Sequence, residues 1–265
     1  MISDTPRQRG TPLSGSVSKN LLGEYIMPNA SSVPAQYRQE WKYICTQAQL
    51  DVLKHRLLTV MNFDRHQLET HSYHIRSLYF DDIANRGLQE NEGGLDKRRK
   101  FRLRIYNHSA ELIRLEIKYK VHGLTRKDSC PVSLELCQAL MAGRPIPFRE
   151  EYPEPLKQLY LEMQTRRMRP VTIVEYDRTA FVYPTGNVRI TFDRNIAASD
   201  HIERFLMPQT FSIPVLPTDQ HILEVKFDGF LPSQIRDVVD VGHLNRTAFS
   251  KYYICRTKYH RGIIQ

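Results

Sequence analysis

From Gln36 onward, polar and apolar residues change places at every second position in short runs, and turn-forming residues separate several of the runs. EWKYIC (40–45), HIRSLYFD (74–81), KFRLRIY (100–106), LIRLEIKYK (112–120), TIVEYDRTAF (172–181), NVRITFD (187–193) and HILEVKFD (221–228) are rich in β-branched and aromatic residues. Their period of two predicts strands. NHSAE and YPTGN carry the turn chemistry for two hairpins. Helical spacing is confined to four stretches. Leu50, Leu53, Leu57 and Leu58 follow Thr46 and Gln49, which have capping-box spacing. The other three are 131–142, placed to end at Gly143, then 154–167, stopping before Pro170, and 232–239. Residues 1–35 are rich in Ser, Pro, Gly and Asn without a sustained period. They read as a flexible tail with a short ordered piece around 21–27. Many antiparallel strands with few helices predict a mainly β, α+β fold built on a closed or nearly closed barrel.

Splitting each strand by parity separates two kinds of surface. Lys100, Arg102, Arg104 and Tyr106 share one face, against Phe101, Leu103 and Ile105. Glu116, Lys118 and Lys120 oppose Leu115, Ile117 and Tyr119, and Glu224, Lys226 and Asp228 oppose Leu223, Val225 and Phe227. Glu40 and Lys42 stand against Trp41 and Tyr43, and Arg189, Thr191 and Asp193 against Val188, Ile190 and Phe192. Such alternation is also what a sheet with one wet face shows. Two features favour an enclosed ionic face. The polar sets hold almost only charged residues, with Glu-x-Lys at 40/42, 116/118 and 224/226. The amphipathic helices also need an apolar surface to cover, which the outside of a barrel provides. Cations crowded inside a barrel need counter-charge. A polyanion with a divalent cation would supply it, the arginines taking phosphate in bidentate fashion and the carboxylates taking Mg²⁺ or Mn²⁺.

The charge balance agrees. Thirty-eight Lys and Arg against 29 Asp and Glu leave a formal charge of +9, which favours a polyanionic partner without choosing one. Cys45, Cys130, Cys137 and Cys255 are scattered without a CxxC pair and read as buried free thiols in a reducing compartment. No apolar run is long enough to span a membrane, so the expectation is a soluble, cytoplasmic protein with no span of its own, a membrane-protein partner remaining open. His71 and His74 are three apart on a predicted strand, and His221, His243 and His260 lack partners at ligand spacing, so no histidine metal site is expected. Nucleic acid is disfavoured, because Trp41, Phe101 and Phe227 lie opposite the cations.

Seven of these motifs in order (EWKY, SLYFD, KFRLRIY, LEIKYK, EYDRTAF, VRITFD and LEVKFD) resemble the VTC (vacuolar transporter chaperone) or polyphosphate polymerase domain. That domain is part of the triphosphate tunnel metalloenzyme, or CYTH-like, superfamily. The resemblance covers about residues 36–258 and marks 36–265 as one tunnel domain. It implies a closed eight-stranded antiparallel tunnel in which the γ-phosphate of ATP passes to a growing inorganic polyphosphate chain with Mn²⁺ or Mg²⁺. Carried over by motif, Arg102, Arg104, Lys118, Arg178, Arg189 and Lys226 would act on the transferring phosphate, and Lys42, Lys100 and Lys120 would bind substrate. Tyr176 would donate a hydroxyl, Ser250 and Lys251 of FSKYY would form a C-terminal phosphate-binding segment, and Lys127 would reach in from a loop in GLTRKDS. Glu224 would be the principal metal ligand, assisted by Glu40 or Glu116. Two alternatives stay open: a module that binds polyphosphate or nucleotide without turnover, and a tunnel triphosphatase. The fold does not choose among them.

Overall fold

The computed structural model describes residues 37–260, except 66, 68–69 and 241–243 and the side chains of 259 and 260. The expected tail at 1–35 lies outside these residues. Element order is β1 (Gln39–Cys45), α1 (Gln47–Leu57), β2 (Asn62–Phe63), β3 (Tyr73–Asp81), α2 (Arg86–Glu92), β4 (Arg98–Tyr106), β5 (Ser109–Val121) and β6 (Leu124–Val132). There follow α3 (Leu134–Met141), α4 (Glu154–Arg166), β7 (Arg169–Tyr183), β8 (Val188–Ser199), β9 (Ile213–Pro214), β10 (His221–Phe227), α5 (Ser233–Val239) and α6 (Lys251–His260). Every predicted strand and helix is present within a few residues. β6, α2 and α6 are additions, as are the two-residue strands β2 and β9.

The strands make one curled antiparallel sheet in the order β1-β10-β8-β7-β3-β4-β5-β6, with β2 on β7 and β9 on β8. Two tight hairpins set its register. Asn107 and His108 both adopt positive φ between β4 and β5, and His122 with Gly123 does the same between β5 and β6. That backbone twist matches the twist of the flanking strands. The stretch expected to be a loop around Lys127 is therefore a strand, with Lys127 opposite Lys118. Pro131 also belongs to β6, opposite Arg114, so the following helix begins only at Leu134, capped by Ser133. An edge strand tolerates the missing N–H of proline.

The sheet is a half-barrel and not the closed barrel that was expected. β1 and β6, at the two ends of the order, meet at a single bridge, where Arg38 and Thr125 exchange backbone hydrogen bonds of 2.8 and 2.9 Å. The cause lies four residues along β1. There the carbonyl of Lys42 accepts from the Thr247 N–H at 2.9 Å, and Tyr43 bridges to Arg246. The approach to α6 thus occupies the β1 edge that β6 would need for a ladder.

The convex face carries two apolar cores. Phe101, Leu103, Ile105, Leu115 and Ile117 of β4 and β5 are buried under Cys137 and Leu140 of α3 and Leu156 and Leu159 of α4. Ile190, Phe192, Leu223 and Val225 are buried under Leu50, Leu53 and Leu57 of α1 and Ile235 and Val239 of α5. The capping box at Thr46 and Gln49 forms as predicted and starts α1. Each such side chain contributes about 1.5–3 kcal/mol on burial, which makes these interfaces the main support for the curl. Between the cores, Arg76 is fully buried and spends its donors on Glu175, His108 and the carbonyls of Phe205, Met207 and Pro208. It ties the 205–208 connection to the sheet. All four cysteines are buried and free.

The concave face is not wholly ionic. A bulge in β8, opposite Glu175 and Asp177, lets Asn195 take a positive φ and changes the parity of the strand. Ile196 and Ala198 then join Ile75, Val174, Tyr176 and Ile222 around Phe249, Tyr252 and Cys255. α6 therefore fills part of the concavity with an apolar plug, which leaves the charged remainder as the candidate site.

Candidate functional site

That remainder is a cavity of about 160 Å³. β1 contributes Glu40 and Lys42, β4 contributes Lys100, Arg102 and Arg104, and β5 contributes Lys118 and Lys120. From β7 come Tyr176 and Arg178, from β10 Glu224 and Lys226, and from the start of α6 Ser250 and Lys251. Adjacent alternate residues on each strand share this wall, as the period of two requires. Of the residues singled out in the sequence, three do not line the cavity. Glu116 is on the same face but buried beneath Arg102, Arg104 and Lys127, and Lys127 is half exposed beside it. Arg189 is turned to Asp64, at 2.6 Å, and to the hydroxyl of Tyr73, at 2.9 Å.

The charges sort into an arginine side and a lysine side. On the arginine side, Glu116 has no exposed surface, and its Oε2 accepts Nε and Nη2 of Arg102 at 2.8 and 2.6 Å. Arg104 lies 3.5 Å from the same oxygen, and Lys127 donates to Oε1 at 2.9 Å. Burial opposes ionisation of Glu116, but Arg104, Arg102 and Lys127 hold it well below the usual carboxylate range. Hydroxyls take up other guanidinium donors: Tyr79 accepts from Arg102 at 2.8 Å, and Ser77 and Tyr176 accept from Arg104 at 3.1 and 3.3 Å. Arg178 is held by both oxygens of Asp193, at 2.6 and 2.7 Å, and Lys251 pairs with the same buried carboxylate.

On the lysine side, Lys118 donates to both oxygens of Glu40 at 2.7 and 2.6 Å, and Lys42 lies 2.9 Å from Glu40. Lys226 pairs closely with Glu224, and Lys42 and Lys251 stand 3.9 Å from it. Burial raises Glu40, as does nearby Glu224, yet Lys118, Lys42 and Lys226 hold it low. Lys118 has one carboxylate partner and two lysine neighbours, so burial together with Lys42 and Lys226 brings it down to about 8 despite Glu40. Lys100 has no carboxylate partner among the described residues. It donates to Asn91 and, at 2.8 Å, to Ser250, while burial, Lys42, Arg98 and Lys118 hold it well below the ordinary lysine value.

Among the described residues, no three His, Cys, Asp or Glu side chains gather as a metal-binding group. Glu116 is committed to Arg102, Arg104 and Lys127, apart from the other two glutamates. Glu40 and Glu224 share the lysine side, close enough that Glu224 opposes the ionisation of Glu40. Two ionised carboxylates facing a phosphate-sized space fit a hard divalent cation that completes its shell with water and substrate oxygens. They do not make an all-protein cage.

Sequence reasoning passed over Tyr79 and Asp193 as site residues. Both were legible by parity. Tyr79 is two residues from Ser77 on β3, and Asp193 shares its face with Arg189 and Thr191. The expected split of aromatics holds for Trp41, Phe101 and Phe227, whereas Tyr79, Tyr176 and Tyr252 line the cavity. No helix among the described residues is long and apolar enough to cross a membrane.

The VTC domain family model matches residues 37–260. No curated protein sequence matches the chain. Among solved structures, a Hippeastrum protein described as an adenylyl cyclase with a dominant triphosphatase activity is similar at 12% identity and a TM-score of 0.51, over 84% of this chain and 96% of that one. A Bacillus halodurans protein described as an adenylate cyclase is similar at 11% identity and a TM-score of 0.44, over 77% and 86%. The Hippeastrum likeness shows a shared fold, that of the triphosphate tunnel (CYTH-like) proteins.

Proposed function

The chain belongs to the VTC domain family, and from that premise we propose that it is a metal-dependent polyphosphate polymerase, which moves the γ-phosphate of ATP onto a growing inorganic polyphosphate chain and releases ADP. One observation carries this reading: side chains of seven cations from five separate strands (Lys42, Lys100, Arg102, Arg104, Lys118, Arg178 and Lys226) converge on one partly enclosed cavity. Such a charge density is stable only with counter-charge, and a phosphate chain supplies it evenly along its length.

Phosphoryl transfer through a loose transition state asks the protein for alignment and charge stabilisation, not for a nucleophile. The terminal oxygen of polyphosphate is already anionic at neutral pH, so no general base is assigned. Arg102 and Arg104, pre-oriented by Glu116 and by the hydroxyls of Tyr79, Ser77 and Tyr176, meet the γ-phosphoryl oxygens. Arg178, steadied by Asp193, extends that surface, and Lys118 and Lys226 neutralise the charge that develops on the leaving ADP. Lys42, Lys100, Lys120, Ser250 and Lys251 seat the rest of the phosphate chain, with Arg189 and Lys127 at its margins. Glu224 and Glu40 would hold Mn²⁺ or Mg²⁺, which would supply positive charge against the substrate phosphates.

Incubation with ATP and Mn²⁺, followed by product sizing and ADP measurement, tests the reading. Chain growth matched by ADP release is expected. Tight polyphosphate binding without ADP release would instead identify a binding module. A second reading, a tunnel triphosphatase, is favoured by the α6 plug, since a shortened cavity suits a short substrate. It predicts free phosphate from tripolyphosphate and no chain growth.

A further inference from the structure

Tyr79 is nearly buried at 5% exposure, yet it lines the cavity beside Arg102 and Arg104. Its ring is pinned on two sides. The Arg102 guanidinium carbon lies 5.6 Å from the ring centroid, and the Tyr252 ring is at 5.2 Å. The hydroxyl oxygen accepts the Arg102 Nη1 donor at 2.8 Å, which leaves its own proton to be placed. Among the described residues it has no acceptor. The charged groups that act on the phenol include Arg102, Arg104, Lys251 and Lys42, all cations. A buried phenol proton ordinarily finds an acceptor. The remaining direction is the cavity itself, where water completes the bond in the free protein and a ligand oxygen can replace it.

Resting on the phosphate-binding reading above, we propose that Tyr79 is a further substrate-contacting residue, whose O–H donates to a non-bridging oxygen of the phosphate that Arg102 holds. Phenol and guanidinium then form one two-pronged clamp: Arg102 fixes the Tyr79 oxygen, and both groups present a proton to the same phosphoryl group. Nothing is transferred covalently, and the tyrosine keeps its proton throughout. Burial pushes the phenol up, but Arg102, Arg104 and Lys251 together bring it below the ordinary tyrosine value, which makes it a stronger donor than a free phenol.

The test uses the full chain and tripolyphosphate as the probe, with Tyr79→Phe as the variant. Calorimetry should show binding weakened by roughly tenfold or more, as for a lost hydrogen bond to a charged group, at an unchanged melting temperature. Absorbance titration at 295 nm, wild type minus variant, isolates the ionisation of this one tyrosine, and saturating tripolyphosphate should move it to higher pH. Equal affinity in the variant would overturn the assignment. So would a weaker affinity with no shift of the 295 nm titration, because a purely structural phenol leaves that signal unmoved. A wild-type protein that binds no tripolyphosphate would remove both this inference and the reading beneath it. A wild-type protein that binds while the variant binds equally removes only the role of Tyr79.

Discussion

Arg102 grips Glu116 through two N–H groups that converge on one carboxylate oxygen, at 2.8 and 2.6 Å, beneath the cavity. The carboxylate is completely buried, and Arg104 and Lys127 share it. Removing one partner of such a cluster strands the others in a poorly hydrated place. Glu116→Gln, nearly identical in shape, is expected to lower unfolding free energy by about 3 kcal/mol, read from the urea midpoint at constant slope. An unchanged midpoint would mean that water already reaches the guanidiniums.

Glu224 has a different position, among Lys226, Lys42 and Lys251 on the substrate side. Glu224→Gln is expected to reduce metal-dependent turnover by roughly 100-fold. The same change removes a negative charge from the wall, so metal-free tripolyphosphate should bind at least as tightly as to the wild type. Opposite signs in the two assays are the signature. Weakened metal-free binding would instead assign Glu224 to holding the wall together.

Lys118 gives the site a pH dependence. Its ammonium is held at about 8, below the ordinary lysine value, by burial and by Lys42 and Lys226. In the free protein the unfolded chain binds more protons than the folded one between about 8 and the ordinary lysine pKa, so this residue makes folding more favourable as pH rises through that window. For binding the sign reverses, because an anion needs the charged form. Tripolyphosphate affinity should fall as pH rises through about 8, and Lys118→Arg should move that fall to higher pH. Affinity measured from pH 7 to 9.5 decides it; identical profiles for both proteins would exclude Lys118 as the source.

Arg76 lies on the opposite face of the sheet from the cavity, fully buried against Glu175 and three loop carbonyls. Arg76→Met should cost about 3 kcal/mol of stability by leaving Glu175 without its nearest cation. The protein that remains folded should bind tripolyphosphate with unchanged affinity. A large affinity loss would show that the 205–208 connection communicates with the cavity.

The parts of this architecture that were readable from sequence are those in which one strand carries both halves of the message. KFRLRIY shows its apolar half against α3 and α4 and its cationic half to the cavity, as parity requires. LEIKYK and LEVKFD behave likewise. β6 was not readable because its sequence, LTRKDSCPV, buries only Cys130 and Val132 and otherwise lacks an apolar face. α6 was read as a bare phosphate-binding segment because its pattern mixes Tyr, Lys and Arg on every side. Only the concave sheet surface reveals which side of it is buried. The extra residue in β8 that turns Ile196 inward has no sequence signature apart from an Asn that tolerates positive φ. The open seam was equally hidden, since it depends on a segment some 200 residues distant in sequence that competes for the edge of β1.

That seam gives the structure a mechanical character that a continuous pipe lacks. A pipe can widen only by stretching every ladder around its circumference, whereas a split ring opens at its joint. Here the joint is one backbone bridge, Arg38 to Thr125, reinforced by the Lys118–Glu40 ion pair. On the proposed reading, an incoming string of phosphates would compete for that lysine, so the cargo would itself loosen the clasp that sets the bore.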